Sequence, residues 1–132
     1  MISAGLLDTS VFIAAEGGRQ LNESLIPDQV VTSVITLAEL NAGVLAAHPT
    51  EIRARRLVTL NAVADLEALP VDEGAAQVWA RLRVHLAEAG RRIRANDLWI
   101  AAIAISNGLP VVTQDGDFTA LEGAAGFSVI QV

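Results

Sequence analysis

Gly5-Leu6-Leu7-Asp8-Thr9-Ser10-Val11-Phe12-Ile13 sets one carboxylate inside a run that is otherwise apolar or hydroxylic. Residues 4–8 read as a short buried strand ending at Asp8, and Thr9 and Ser10 supply the hydroxyl oxygens on which a helix starts. An acid at the mouth of a core is costly to desolvate and needs a reason. Capping the helix is one reason, but Thr9 and Ser10 already offer capping oxygens, which frees Asp8 for another task. The pattern recurs at Glu39 within Ser33-Val34-Ile35-Thr36-Leu37-Ala38-Glu39-Leu40, at Asp97 before Leu98-Trp99-Ile100-Ala101-Ala102, and at Asp115 and Asp117 after Val111-Val112-Thr113. Several such acids suggest a shared cation that offsets their desolvation and mutual repulsion.

Working outward, the same switch from strand to helix repeats along the chain. A β-like run over 29–34 leads into a helix over 35–48, which Pro49 helps to stop. Thr50 is placed to cap an amphipathic stretch reaching about residue 65, with Ile52, Leu57, Leu60 and Val63 as its stripe. A third strand over 68–71 precedes a helix capped by Asp72, which carries Ala76, Val78, Trp79, Leu82 and Leu86 and stops at Gly90. The next helix starts at Asn96 or Asp97 and ends at Asn107-Gly108. Strands over 109–113 and 127–131 follow, with a short helix at 118–121 between them. Strands alternating with helices imply right-handed crossovers and an α/β fold, its mainly parallel sheet covered on both faces. With 132 residues, 52% of them hydrophobic, and no repeat or linker, the whole of 1–132 is expected to form a single domain.

Parallel topology sends Asp8 and Asp115 to the carboxyl ends of their strands, the edge where open α/β sheets bind ligands. On its helix Glu39 has Ile35, Ala42 and Gly43 as its neighbours three and four residues away, so it faces inward or along a cleft. Asp97 opens a helix whose face is Ile100, Ala101, Ala104 and Ile105, and Asn96 is able to cap in its place. Asp115-Gly116 is also a turn signal, and Asp117 either supports the site or caps the helix at 118–121. Ser10, beside Asp8, is suited to orient a water or a phosphate.

The chain has no cysteine, which excludes disulfides, thiolate zinc sites and cysteine nucleophiles. His48 and His85 fall late in their helices, in solvent-facing or capping positions. No run reaches the roughly 20 apolar residues that span a bilayer, and no basic leader precedes the first apolar stretch, so cytoplasmic residence and no membrane association are expected. The net charge of −6 opposes a nucleic-acid partner, yet five of the fifteen acids are those suspected of holding metal. All nine basic residues are arginine. Arg53, Arg55 and Arg56, and then Arg81 and Arg83, are equally readable as solvated helix faces or phosphate contacts. Arg91, Arg92 and Arg94 directly precede Asp97 and are the better candidates for binding substrate.

Carboxylates without histidine or cysteine make an all-oxygen site, which selects Mg²⁺ or Mn²⁺ over zinc. The natural substrate of such ions is a phosphate, and hydrolysis of a phosphodiester by metal-activated water is the leading reaction class. On Leu7-Asp8-Thr9-Ser10, Ala38-Glu39-Leu40, Asp97 with Ile100-Ala101-Ala102, and Thr113-Gln114-Asp115-Gly116-Asp117-Phe118, the chain resembles a PIN-domain ribonuclease, specifically a VapC-type toxin of a bacterial type II toxin–antitoxin pair. The resemblance covers nearly the whole length, and every acidic position of the pattern is filled.

It implies a three-layer α/β/α sandwich, Mg²⁺- or Mn²⁺-dependent endonucleolytic cleavage of RNA leaving a 5′-phosphate and a 3′-hydroxyl, a homodimer, and neutralisation by a VapB-type antitoxin whose C-terminal segment blocks the acidic groove. Asp8, Glu39, Asp97 and Asp115 would then be the catalytic and metal-binding set. Asp117 would join them on the metal, with Ser10 and Thr113 in support. A phosphoacceptor receiver domain would require a lysine, which the chain lacks, and a haloacid-dehalogenase-like phosphatase would have aspartate where Ser10 stands. The remaining alternative is a catalytically weak PIN-like module that binds RNA or protein without cutting.

Overall fold

The structure is a computed structural model that describes residues 3–132. Five strands, β1 (Ala4–Leu7), β2 (Gln29–Ser33), β3 (Ala68–Leu69), β4 (Val111–Thr113) and β5 (Val129–Gln131), form one sheet in the order β3-β2-β1-β4-β5. Every neighbouring pair is parallel. The helices are α1 (Thr9–Glu16), α2 (Val34–Ala46), α3 (Thr50–Val63), α4 (Glu73–Ala89) and α5 (Ala95–Ser106), with 3₁₀ turns at Glu23–Leu25 and Asp117–Leu121.

Successive side chains of a strand point to opposite faces, and the core divides accordingly. Leu6 and Val111 join Leu82, Leu86, Ile100 and Ile103 from α4 and α5 on one face. Leu7 and Val112 join Val11 from α1 and Val132 on the other. Helices on both faces of a parallel sheet give the α/β/α sandwich. The fully buried Ala101-Ala102-Ile103-Ala104 stretch explains why α5 is apolar all round.

β1 occupies the centre, with Leu6 registered against both Val31 of β2 and Val111 of β4. From β1 the chain builds outward to β3, then returns to the other side for β4 and β5. The crevice at the carboxyl ends of β1 and β4 is therefore the topological switch point, where such sheets bind their ligands. Gly5 permits this close pairing. A Cβ there would lie 2.8 Å from Val112 Cγ2 and 2.9 Å from Pro27 Cγ. Gly5→Ala is expected to destabilise the fold by about 1–3 kcal/mol through overpacking, a loss readable in denaturant unfolding.

Several boundaries differ from the sequence expectation. The strands are shorter, because pairing stops where the chain turns into a helix or loop. α2 starts at Val34, capped by Ser33, whose side chain accepts from Thr36 N. Thr50 does not cap α3, since Pro49 holds the cap position with no side-chain bond. The expected α3 stripe is only partly inward: Val63 is buried, whereas Ile52 and Leu57 are 38% and 45% exposed. Asn96 does not cap α5 either. That helix begins at Ala95 and has Arg94 at its cap position. Asp72 and the left-handed Gly90 do bound α4 as expected. His48 is exposed, but His85 is half-buried and its Nε2 lacks a hydrogen-bond partner. Among the described residues no helix is long and apolar enough to cross a membrane.

Candidate active site

The site starts where β1 ends. Asp8, 3% exposed, has extended backbone, and its Oδ1 accepts from Ser10 N at 3.1 Å, so it is the N-cap of α1. This corrects the expectation that Thr9 or Ser10 caps the helix and leaves Asp8 aside. One carboxylate starts the helix and faces the crevice as well. Its two oxygens each receive a hydroxyl hydrogen: Ser10 Oγ donates to Oδ1 at 2.6 Å and Thr113 Oγ1 to Oδ2 at 2.9 Å. Gln114 N in turn donates to Ser10 Oγ at 2.9 Å, so the loop after β4 is tied to the start of α1.

Asp115 follows directly. Its Oδ1 lies 3.4 Å from Thr113 Oγ1 and accepts from Asp117 N at 3.1 Å. Asp117 is the first residue of the 3₁₀ turn and Gly116 its cap residue, so Asp117 is exposed at the rim and does not cap that turn. Asp97, 6% exposed in the first turn of α5, completes the ring. Glu39 enters from α2. Its Oε1 accepts from Thr9 Oγ1 at 2.7 Å, and it shares with Arg94 and Asp97 a cavity of about 270 Å³.

Electrostatics register this crowding. Burial pushes the Asp8 carboxyl from the ordinary 3.8 up to about 6; the hydroxyls of Ser10 and Thr113 oppose the shift, and the charges of Asp115 and Asp97 add to it. Asp97 is raised too, first by burial, with Arg94 pulling the other way and Asp117 and Glu39 adding repulsion. A site that disfavours its own negative charge is prepared for a cation.

Arg94 supplies a positive charge from within the chain. Its Nε donates to Asp97 Oδ2 at 3.1 Å and its Nη2 to Asp117 Oδ2 at 2.6 Å. The expected arginine trio thus divides. Arg94 is paired with the acids, Arg91 donates to the carbonyl of Glu122 at 3.1 Å, and Arg92 is exposed. In the other clusters Arg56 donates to the Gly43 carbonyl, Arg81 to that of Ala125, and Arg83 lies 5.7 Å from the Trp79 ring centre. These contacts favour structural roles for the three.

The donors are all carboxylate and hydroxyl oxygens, the set preferred by Mg²⁺ and Mn²⁺. Among the described residues no three histidine, cysteine, aspartate or glutamate side chains are placed to hold a metal ion together. That is compatible with Mg²⁺, which keeps several waters and takes only one or two carboxylates directly. Two participants were not singled out as site residues in the sequence, Thr9 and Thr36, which lie within hydrogen-bonding distance of each other behind Glu39. The one local signal for Thr36 is its position three residues before Glu39 on the same helical face.

Comparison with known proteins identifies the family. The PIN domain family model matches residues 5–124. The chain is 68% identical to Ribonuclease VapC5 of Mycobacterium tuberculosis, over 98% of its own length and 96% of the relative's. It is 37% identical to Toxin FitB of Neisseria gonorrhoeae, over 90% of this chain and 94% of that one. The solved structure of VapBC-5 from Mycobacterium tuberculosis, a member of the VapBC family of toxin–antitoxin systems, superposes with a TM-score of 0.93 at 65% identity, covering 98% of this chain and 99% of that one. The matched span runs from the central strand to just past the last carboxylate, and the chain belongs to the PIN-domain family, among its VapC-type ribonucleases.

Proposed function

We propose that this chain is the toxin of a VapBC-type pair, an endoribonuclease that hydrolyses RNA phosphodiesters with Mg²⁺ or Mn²⁺. The observation that carries the reading is Asp8, a buried carboxylate whose charge is disfavoured by its burial and by Asp115 and Asp97, in a chain 68% identical to a ribonuclease of this family. Asp8, Glu39, Asp97 and Asp115 are assigned to the metal site, one or two of them directly on the ion and the others through its waters, with Asp117 at the rim. A divalent ion bound there supplies charge that offsets the approaching phosphate and activation of the attacking water. Ser10 and Thr113 fix both oxygens of Asp8, so the carboxylate need not reorganise as substrate binds. Arg94 pairs with Asp97 and Asp117 and so offsets part of their charge from within the chain.

The partners assigned to the chain are RNA, a VapB-type antitoxin and a second copy of itself, and it is assigned to the cytoplasm as a single domain over 1–132. The test incubates the chain, freed of antitoxin, with total RNA and Mg²⁺ or Mn²⁺ and sequences the cleaved ends. Discrete cuts leaving a 5′-phosphate and a 3′-hydroxyl are expected, and EDTA abolishes them. Cleavage that survives EDTA overturns the metal mechanism. Intact RNA under every metal condition identifies a module that binds without cutting.

A further inference from the structure

Behind Glu39 lies a line of buried hydroxyls that the reaction as described does not use. Ser33 and Thr36 are fully buried and Thr9 is 9% exposed. Ser33 Oγ lies 3.4 Å from Thr36 Oγ1, Thr36 Oγ1 lies 3.1 Å from Thr9 Oγ1, and Thr9 Oγ1 lies 2.7 Å from Glu39 Oε1. Each hydroxyl has one hydrogen, and an ionised carboxylate only accepts. Thr9 therefore spends its hydrogen on Glu39, Thr36 donates to Thr9, and Ser33 donates to Thr36. Ser33 Oγ meanwhile accepts from Thr36 N at 3.1 Å, which anchors the far end of the line at the cap of α2. All the hydrogens point the same way, toward Glu39, and bonds ordered like this reinforce one another in a low-dielectric interior.

From this we infer that Thr9 and Thr36 are positioning residues for the metal site: a polarised hydroxyl chain that pins Oε1 of Glu39 and leaves Oε2 for the cleft it shares with Asp97. The inference rests on the proposed role of Glu39 as a metal ligand. Glutamate has three rotatable side-chain bonds, and Glu39 is only half-buried, so without a fixed partner it would sample the cleft. Outer partners of ligating carboxylates commonly change metal affinity by about 10–100-fold when removed. Thr9 also binds the two halves of the site mechanically, since it is the first residue of α1, next to Asp8, while Glu39 belongs to α2.

The test is Mn²⁺ binding by isothermal titration to the full chain, in the absence of RNA, with kcat and KM measured in parallel. Thr9→Val, which keeps the shape and removes the hydroxyl, is expected to weaken Mn²⁺ binding about 10-fold. Its kcat should recover toward the native value at saturating metal, and its KM for RNA should be unchanged. Thr9→Ser restores binding. Thr36→Val gives a smaller loss in the same direction, and the double variant Thr9→Val/Thr36→Val is no worse than Thr9→Val alone, because Thr36 acts only through Thr9. A merely structural role would give additive losses of stability and no rescue specific to the hydroxyl. A folded Thr9→Val that binds Mn²⁺ as tightly as the native chain overturns the inference. Should Thr9→Val not fold, Thr36→Val applies the same criterion one link further out. Native protein that binds no Mn²⁺, or a Glu39→Gln that binds it undiminished, overturns the ligand assignment itself and the inference with it.

Discussion

Asp8→Asn is expected to lower RNA cleavage by at least about 10³-fold, the equivalent of about 4 kcal/mol in the barrier, while leaving the fold intact. Asparagine is isosteric and caps helices as well as aspartate does. Its carbonyl still accepts from Ser10 N and Ser10 Oγ, and its amide replaces the second oxygen opposite Thr113, whose hydroxyl turns to accept. What disappears is the charge. Single-turnover cleavage of RNA at saturating Mg²⁺, set beside a circular dichroism spectrum, separates loss of chemistry from loss of structure. Cleavage within 10-fold of native would remove Asp8 from the centre of the mechanism.

The second large effect is on stability and runs in the opposite direction. The Asp8 carboxyl sits at about 6 in the folded chain against an ordinary 3.8, so between about pH 4 and pH 6 the folded state holds a proton that the unfolded state has released. Stability of the metal-free protein therefore falls as pH rises through that window. The Asp8 contribution is on the order of 3 kcal/mol and is fully lost by neutral pH. Asp97, raised for the same first cause, acts in the same direction. In EDTA the native chain should unfold more readily at pH 7.5 than at pH 5, and the difference should shrink in Asp8→Asn, which is the more stable of the two at pH 7.5. Mg²⁺ binds only the folded chain and so should stabilise the native protein at pH 7.5 and have little effect on the variant. Denaturant unfolding of both proteins at the two pH values, with and without Mg²⁺, measures each of these differences. Equal pH slopes in native and variant would place the strain elsewhere.

Both expected results rest on one residue whose buried charge costs stability and is assigned to function, an exchange common at sites built around buried charge. The fold that holds it was largely legible in the sequence. Short apolar runs ending in hydroxyl or acidic residues marked the strands, and parallel topology alone sent residues 8 and 115 to the same edge. α5 was legible because Ala101 to Ala104 leave no polar face to expose.

What escaped had physical causes. Aspartate, threonine and serine are all good caps, and Asp8 is chosen because its amide still pairs with the Val112 carbonyl at 3.0 Å while Thr9 already begins the helix. Thr9 meets Glu39 across thirty residues, a contact with no local signature. The apolar positions of α3 were overread because periodicity reports an amphipathic face but not whether anything covers it, and Ile52 and Leu57 remain partly open. The pairing of Arg94 with Asp97 did carry a local sign, their spacing of three, which favours an ion pair at a helix end.

The strand order also governs when the crevice can form. β1, completed by residue 7, stays bare along one edge until β4 arrives after more than a hundred intervening residues, and only then do Thr113 and Asp115 reach Asp8. A chain that ends just before β4 holds Asp8, Glu39 and Asp97 but lacks Thr113, Asp115 and Asp117. The crevice is thus completed only once β4 has been made and has paired with β1.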